Sequence, residues 1–217
     1  MLQKSTIRFL ADLSNNNSKE WMDEHRKQYE AAKADYEILV GELIKALTPY
    51  EPEVANLQPK QCVFRLNRDI RFSADKSPYK SNFGAAFSRE GKKFPGAGYY
   101  FHLQPGKSFI AGGIWMPDAS LLKKIRQEID YNCEAFKKIV DAKSFVKTLG
   151  AMDGDRLKRA PQGYSEDNPA IEYLKFKSFT VSAPIDDKVL TTAELLKTSD
   201  KIFAEMKPFI DFLNTAV

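Results

Sequence analysis

The sequence predicts a single α+β domain over residues 1–217, in which an antiparallel sheet of about four to six strands is flanked by long N- and C-terminal helices. Three observations lead to this class. Apolar residues recur every three or four positions near both ends of the chain, they alternate every second residue in the middle, and Pro-Gly or Gly-rich turn signals separate the alternating segments. No linker or internal repeat interrupts the pattern, so we expect one domain with both long helices on one face of the sheet.

Two helices are expected before residue 50. Residues 5–13 form a short one, which an Asn-rich stretch ends. Asn17 followed by Glu20 has the spacing of a capping box and predicts the start of a long helix, whose apolar stripe runs over residues 21–47. His25 falls on that stripe, so we expect a histidine at the edge of the core with one hydrogen bond rather than a catalytic group.

The apolar period then changes to two, which is typical of strands. In the first strand, Phe64 is expected to face inward, with Arg65 on the opposite face. A glycine pair, Gly112-Gly113, predicts a bulge or another chain segment close to the backbone. The alternation predicts strands at Cys62–Leu66, Phe83–Phe87, Tyr99–Leu103 and Phe109–Trp115.

Helices return after these strands. Asp118 is expected to cap one of them, and Asn132 to begin the next. Thr191 with Glu194 predicts the capping box of the final helix, which Pro208 kinks or restarts. Between these helices, the sequence predicts a helical turn at Ala170–Leu174 and a strand at Phe176–Ser182.

Composition restricts the class of protein. Hydrophobic residues make up 43% and charged residues 29% of the chain, an ordinary globular mixture. No apolar run approaches the roughly 20 residues that span a bilayer, and residues 1–13 do not resemble a signal peptide. Cys62 and Cys133 form neither a disulfide framework nor a metal motif. We therefore expect a cytoplasmic protein without a membrane partner.

The net charge of +4 is unevenly distributed. Residues 60–93 contain nine Lys or Arg and three Asp or Glu, a local charge of +6, whereas the remainder carries −2. Such an excess favours an anionic partner, although a solvated basic surface is the simpler interpretation. The candidate ligand-binding residues all lie in the segment 65–80, called the basic loop below: Arg65, Arg68, Arg71, Lys76, Tyr79 and Lys80.

Two interpretations of the basic loop remain open at this point. Arg presents a planar fork of donors suited to phosphate or carboxylate, so the loop is a candidate ligand site. Alternatively, the arginines hold the loop in shape by pairing with Asp69 and Asp75. His102, Lys158 and Arg159 are candidates for a second wall of the same site.

Several familiar chemistries are absent from the sequence. It contains no phosphate-binding P-loop, no dinucleotide fingerprint and no nucleophile elbow. Two histidines on different elements give little support to a zinc site, and Asp69 and Asp75 are better explained as ion-pair partners than as Mg²⁺ ligands. We expect no metal and no cofactor, and the sequence does not decide whether the protein is an enzyme.

The motif RLNRDIRFSADKSPYKSNFGAAFSREG resembles the signature of an uncharacterised family, domain of unknown function 2461. Similar motifs occur along nearly the whole chain: FLADLSNNNSKEWMDEHRKQYE, GYYFHLQPGKSFIAGGIWMPDASLLKKIRQEI, GDRLKRAPQGY and LKFKSF. His25 stands where the family often has an asparagine. The resemblance implies a single intracellular domain and carries no reaction or substrate.

The leading functional hypothesis is therefore binding, with or without processing, of a phosphorylated or otherwise anionic small ligand at the basic loop. A nucleic-acid-binding protein is the first alternative, because Phe72, Tyr79, Tyr99 and Tyr100 could stack on bases beside the cations. A protein-interaction scaffold without a pocket is the second. The sequence does not indicate the oligomeric state.

Overall fold

The computed structural model describes residues 1–152 and 154–217, with ten α-helices and four strands in this part of the chain. The helices are α1 (Lys4–Asn15), α2 (Lys19–Glu24), α3 (Arg26–Leu47), α4 (Pro59–Cys62), α5 (Ala119–Tyr131), α6 (Cys133–Val140), α7 (Lys143–Leu149), α8 (Ile171–Leu174), α9 (Asp187–Leu190) and α10 (Glu194–Asn214). The strands are β1 (Phe83–Phe87), β2 (Gly98–Leu103), β3 (Phe109–Ile114) and β4 (Phe179–Pro184). None of the described helices combines the length and the apolar content that crossing a membrane requires.

The strands form one antiparallel sheet in the order β1-β2-β3-β4, which confirms the predicted α+β class. Burial alternates along β2 and β3, so in these two strands one set of side chains belongs to the core and the other is half-buried. Gly106 has a φ of 73° in the turn between these strands, a conformation that suits glycine. At Gly113 a side chain would lie 2.0 Å from the Phe179 carbonyl oxygen, the close approach that the glycine pair predicted.

The predicted strand Cys62–Leu66 is wrong. Pro59 opens α4, Gln61 accepts a hydrogen bond from the Gln58 N–H at 2.7 Å, and the helix continues to Cys62. Only an isolated bridge joins Val63 to β1. Val63 is buried and Phe64 is 38% exposed, the reverse of the prediction for these two residues, whereas Cys62 and Leu66 are buried as the alternation predicted.

The long N-terminal helix is divided, and its cap lies one residue later than predicted. Ser18 caps α2 by accepting a hydrogen bond from the Trp21 N–H at 3.2 Å. His25 separates α2 from α3, with Nδ1 2.8 Å from the Trp21 carbonyl and its ring stacked on that indole at 4.1 Å. The expected single hydrogen bond of His25 is thus present.

In the C-terminal half, the predicted helices and strand are present, but several of their caps and end residues differ from the prediction. Asp118 caps α5 as expected, by accepting from the Leu121 N–H at 2.9 Å. Asn132 precedes α6 without a capping hydrogen bond from its side chain. The residue that receives the Glu194 N–H is Thr192, not Thr191, at 3.3 Å. The last strand begins three residues later than predicted, and Pro208 lies within an uninterrupted α10.

The chain divides into two units. The first contains residues 1–92, 100–110 and 184–201, and the second contains residues 93–99, 111–183 and 202–217. In the first unit, Tyr36 of α3 packs against Phe83 and Phe101, with ring centroids 5.2 and 6.3 Å away, and its hydroxyl donates to the Phe101 carbonyl at 3.1 Å. The single-domain prediction remains untested.

In the second unit, the C-terminal part of α10 packs against sheet residues. The ring of Phe203 meets Tyr99 edge-on at 5.4 Å. A side chain at Gly112 would lie 2.8 Å from the Met206 sulfur, so this glycine lets the helix approach the strand closely.

Candidate functional site

The basic loop belongs to the first unit and is closed at its base by backbone hydrogen bonds. The Arg68 N–H donates to the Pro78 carbonyl, and the Lys80 N–H donates to the Leu66 carbonyl, each at 2.9 Å. A short antiparallel ladder therefore holds the two ends of the loop together, and residues 69–77 form its excursion.

Arg68 is a bracing residue of the loop. Its guanidinium donates to the Asp75 carboxylate, to the Ser77 carbonyl at 3.2 Å and to the Ser73 hydroxyl at 3.3 Å. Hydrogen bonds from Ser77 and then from Arg68 lower the pKa of Asp75 to about 2. Both terminal nitrogens of the Arg68 guanidinium donate to groups within the loop. Arg68 therefore holds residues 69–77 in their conformation.

Arg71 and Lys76 also have partners within the loop. Arg71 makes a bidentate pair with Asp69, with Nε–Oδ1 and Nη2–Oδ2 distances of 2.9 and 2.7 Å, and these bonds lower the pKa of Asp69. Lys76 donates to the Ile70 carbonyl at 3.1 Å, which leaves its charge without a carboxylate partner in the described chain. Asp69 and Asp75 are exposed, so both carboxylates of the loop pair with arginine in contact with solvent.

Arg65 and Lys80 differ from the paired arginines. The Lys80 ammonium donates to the Arg65 carbonyl at 3.0 Å and lies 5.8 Å from the centre of the Phe64 ring. Within residues 1–152 and 154–217, neither side chain forms an ion pair with Asp or Glu. The charge of Arg65 contributes to lowering the pKa of Asp69, whose oxygens are already held by Arg71.

Desolvation and like charge act together on Lys80. Burial, and then the neighbouring charge of Arg65, lower the pKa of Lys80 from its ordinary value. The Lys80 ammonium is thus held at the Arg65 backbone within electrostatic reach of the Arg65 guanidinium, and neither side chain forms an ion pair in the described chain. An anion placed there would relieve their repulsion, which is the electrostatic condition for an anion site.

A polar network lies on the half-buried face of β2. The Tyr100 hydroxyl is 3.1 Å from Nδ1 of His102, and Nε2 of His102 is 3.0 Å from Oε1 of Gln104. A carboxamide oxygen only accepts, so Nε2 carries the proton and Nδ1 accepts from the phenol. The imidazole also stacks on Phe109, with ring centroids 4.6 Å apart.

Burial keeps this network uncharged near neutral pH. It raises the pKa of Tyr100 to about 12 and lowers the pKa of His102, an effect that the hydrogen bond to Gln104 partly opposes. The phenol therefore donates and the imidazole accepts without either group carrying charge.

The polar network reaches the end of the basic loop. The Gln104 amide donates to the Ser81 hydroxyl at 3.4 Å, and Asn82 Nδ2 is 3.4 Å from His102 Nδ1. Ser81 directly follows Lys80, and the Phe64 ring beside Lys80 lies 6.2 Å from the Tyr100 ring. The sequence analysis named Tyr100 only as a residue that could stack on bases, and it did not single out Gln104, Ser81 or Asn82. Their signal was the every-second-residue spacing of Tyr100, His102 and Gln104.

The remaining predicted residues have different positions. Tyr79 is half-buried, and the Asn17 side chain forms hydrogen bonds with its backbone carbonyl and its backbone N–H. Lys158 and Arg159 are exposed residues of the second unit, so their assignment to a second wall remains a prediction. In the described parts of the chain, no three His, Cys, Asp or Glu side chains are grouped as a metal ion would need.

Comparison with known proteins identifies the family. The family described as Conserved hypothetical protein (DUF2461) matches residues 5–212. The chain belongs to this family. No significant match is found among curated proteins or among solved structures. Membership of DUF2461 therefore confirms the resemblance seen in the sequence and assigns no reaction or ligand.

Proposed function

We propose that this DUF2461 protein binds a phosphorylated or otherwise anionic small ligand at the basic loop, with Arg65 and Lys80 as its principal contacts. The supporting observation is that the charges of Arg65 and half-buried Lys80 interact and that neither side chain forms an ion pair in the described chain. A charge that is partly removed from water needs compensation, and a bound anion would provide it.

The other cations of the loop have supporting roles in this proposal. Arg68 forms an ion pair with Asp75, and Arg71 forms one with Asp69. In this proposal the two arginines therefore stabilise the loop conformation and do not contact the ligand. Lys76 adds to the local charge of +6 that would attract an anion over several ångströms. This division of roles reconciles the two interpretations of the basic loop, as a site and as an ion-pair network.

The chemistry of the site favours a phosphate monoester over a single carboxylate. A dianion matches two cations, and a guanidinium can hold two of its oxygens at once. The uncharged Tyr100–His102–Gln104 network would lie beside such a ligand and offers donors and acceptors for a neutral polar part. The proposal is one of binding and includes no reaction.

The test is ligand-dependent stability. Inorganic phosphate and phenyl phosphate, titrated during thermal unfolding, are expected to raise Tm, since a native-state ligand at about 100 times its Kd adds roughly 2.7 kcal/mol. Arg65→Ala and Lys80→Met are each expected to abolish that rise. Lys124→Met, which removes one exposed charge from α5, is the matched control and is expected to retain it.

Two results would overturn the proposal. The first is a wild-type Tm that does not respond to either phosphate compound. The second is a response of equal size in Arg65→Ala, Lys80→Met and Lys124→Met, because that would indicate nonspecific screening of surface charge.

A second candidate function is nucleic-acid binding, and Phe72 is the observation that favours it. Its side chain is 95% exposed in the excursion of the basic loop, with the Arg71 guanidinium 5.7 Å from the ring centre. An exposed ring beside cations is suited to stacking on an unpaired base. Affinity for single-stranded DNA that falls with salt and is lost in Phe72→Ala would support this function over the first.

A further inference from the structure

The segments of β1 and β2 beside the basic loop carry no charged residue. Residues 81–87 and 99–106 contain no Asp, Glu, Lys or Arg, in a protein that is 29% charged. Tyr100 and His102 are half-buried rather than covered, and burial keeps both uncharged near neutral pH. A ligand that extends from Lys80 over this face would therefore lie against uncharged side chains.

Phe64 presents an aromatic ring between Lys80 and this face. The Phe64 N–H donates to the Gly84 carbonyl at 2.9 Å, which fixes the residue beside β1. A Cβ at Gly84 would collide with the Tyr100 hydroxyl, so the glycine leaves room for the Phe64 and Tyr100 rings, whose centres are 6.2 Å apart. The Phe64 ring is 38% exposed, and the Lys80 ammonium lies 5.8 Å from its centre. An exposed ring directly beside a cation is suited to stacking on a planar part of an anionic ligand.

Asn82 contributes an open hydrogen-bond acceptor to the same face. Because the proton of His102 is on Nε2, Nδ1 accepts, and the Asn82 amide nitrogen 3.4 Å away donates to it. The carboxamide oxygen Oδ1 of Asn82 has no donor among the described residues. In that part of the chain every buried side-chain nitrogen or oxygen has a partner, so this unpartnered oxygen is in contact with solvent. It favours a ligand group that carries a hydrogen-bond donor.

From these contacts we infer that the ligand is a phosphate monoester whose organic part contains an uncharged planar ring with a hydrogen-bond donor, as a mononucleotide does. The phosphate lies at Arg65 and Lys80, the ring stacks on Phe64, and the donor bonds to Oδ1 of Asn82. This inference rests on the proposed function, because the phosphate site at the basic loop is what brings the ring to Phe64. A simple aryl phosphate would supply the ring but not the donor.

Calorimetric titration with adenosine 5′-monophosphate and with ribose 5-phosphate tests the inference, since the two probes differ only in the base. Wild type is expected to bind the nucleotide about tenfold or more tightly, the contribution of one stacked base. Phe64→Leu and Asn82→Ala should each reduce this preference and leave the affinity for ribose 5-phosphate unchanged. Phe72→Leu is the matched control, because it removes another exposed ring of the basic loop, and it should keep the full preference. Phenyl phosphate, a ring without a donor, should bind with intermediate affinity and not respond to Asn82→Ala.

The possible failures are distinguishable. Equal wild-type affinity for the two probes would overturn the ring site and leave the proposed phosphate site standing, whereas absence of binding by both would overturn the two together. A preference for the nucleotide that persists in both Phe64→Leu and Asn82→Ala, or that is lost in Phe72→Leu, would also overturn the inference. The wild-type comparison needs no variant, so a variant that fails to fold does not remove the test.

Discussion

The side-chain amide of Asn17 holds the backbone of Tyr79 from both directions: Nδ2 donates to the Tyr79 carbonyl at 2.9 Å, and Oδ1 accepts from the Tyr79 N–H at 3.1 Å. The two residues are 62 positions apart, and Tyr79 also forms a bridge with Asn67. Asn17 thereby attaches the basic loop to the N-terminal helices, and the position of Lys80 next to Tyr79 depends on it.

Asn17→Ala is expected to lower the free energy of unfolding by about 1–3 kcal/mol, since it removes two hydrogen bonds to partly buried backbone groups. Faster amide exchange of Tyr79 and Lys80 should accompany the loss. Chemical denaturation and hydrogen exchange check both effects. Asn15→Ala, at the exposed end of α1, is the control and should change neither. Equal stability of the two variants would contradict the attachment role.

Arg68→Ala and Arg71→Ala are expected to differ although both remove an ion-paired arginine. The Arg68 side chain is 25% exposed and has three partners in the loop, whereas the Arg71 side chain is 75% exposed and pairs with a residue two positions away. Arg68→Ala should therefore lower Tm and increase exchange across residues 68–77. Arg71→Ala should leave Tm near that of wild type. Indistinguishable exchange in the two variants would argue against the bracing role of Arg68.

Stability is expected to fall as pH decreases from about 6.5 towards 5, in part because of His102. Burial lowers the pKa of His102 in the folded state, so the unfolded chain takes up a proton first and becomes favoured as pH falls. The contribution is fully present above the ordinary histidine pKa of about 6.5 and is lost as pH falls through the folded-state pKa.

Denaturation of His102→Gln between pH 5 and 8 measures this contribution, since the variant should have a smaller pH dependence than wild type. His25→Gln is the matched control because it removes the other histidine of the chain. A pH dependence in His102→Gln identical to that of wild type would show that the imidazole is not held neutral.

Gly84→Ala is expected to destabilise the protein by about 1–3 kcal/mol, the usual cost of overpacking. An added Cβ would lie 2.4 Å from the Tyr100 hydroxyl oxygen and 3.0 Å from two ring carbons, so the phenol would have to move away from His102. Gly41→Ala within α3 is the control. Its Cβ would meet only a Pro59 carbon at 3.9 Å, and it should stabilise the helix by about 0.5–1 kcal/mol. Thermal unfolding of both variants provides the comparison, and a neutral Gly84→Ala would contradict the packing described.

Local patterns were sufficient to predict three of the four strands closely. Alternation located β1, β2 and β3 to within a residue at each end, and Pro105-Gly106 marked the turn between β2 and β3. These predictions succeeded because period, turn chemistry and burial depend on neighbours in the sequence. The same dependence explains why Asp118 was correctly predicted as a cap. Asn17 was also predicted to cap a helix, but its side chain bonds instead to Tyr79, a residue 62 positions away.

The composition of the candidate site was also visible in the sequence, but the roles of its members were not. Charge counting located residues 65–80 without separating Arg68 and Arg71, which are neutralised by Asp75 and Asp69, from Arg65 and Lys80. Five cations and two carboxylates allow many pairings of similar local energy. The backbone pairing that closes the loop selects among them.

The sequence by itself therefore determined the fold class, the family and the segment that concentrates positive charge. Only the tertiary structure decided that α4 extends to Cys62 and turns Phe64 outward, and that Tyr100, His102 and Gln104 form one network beside Lys80. The physical reason is the range of the interactions. Backbone periodicity is set within a few residues, whereas the partner of a charged or polar side chain is set by which distant segments pack together.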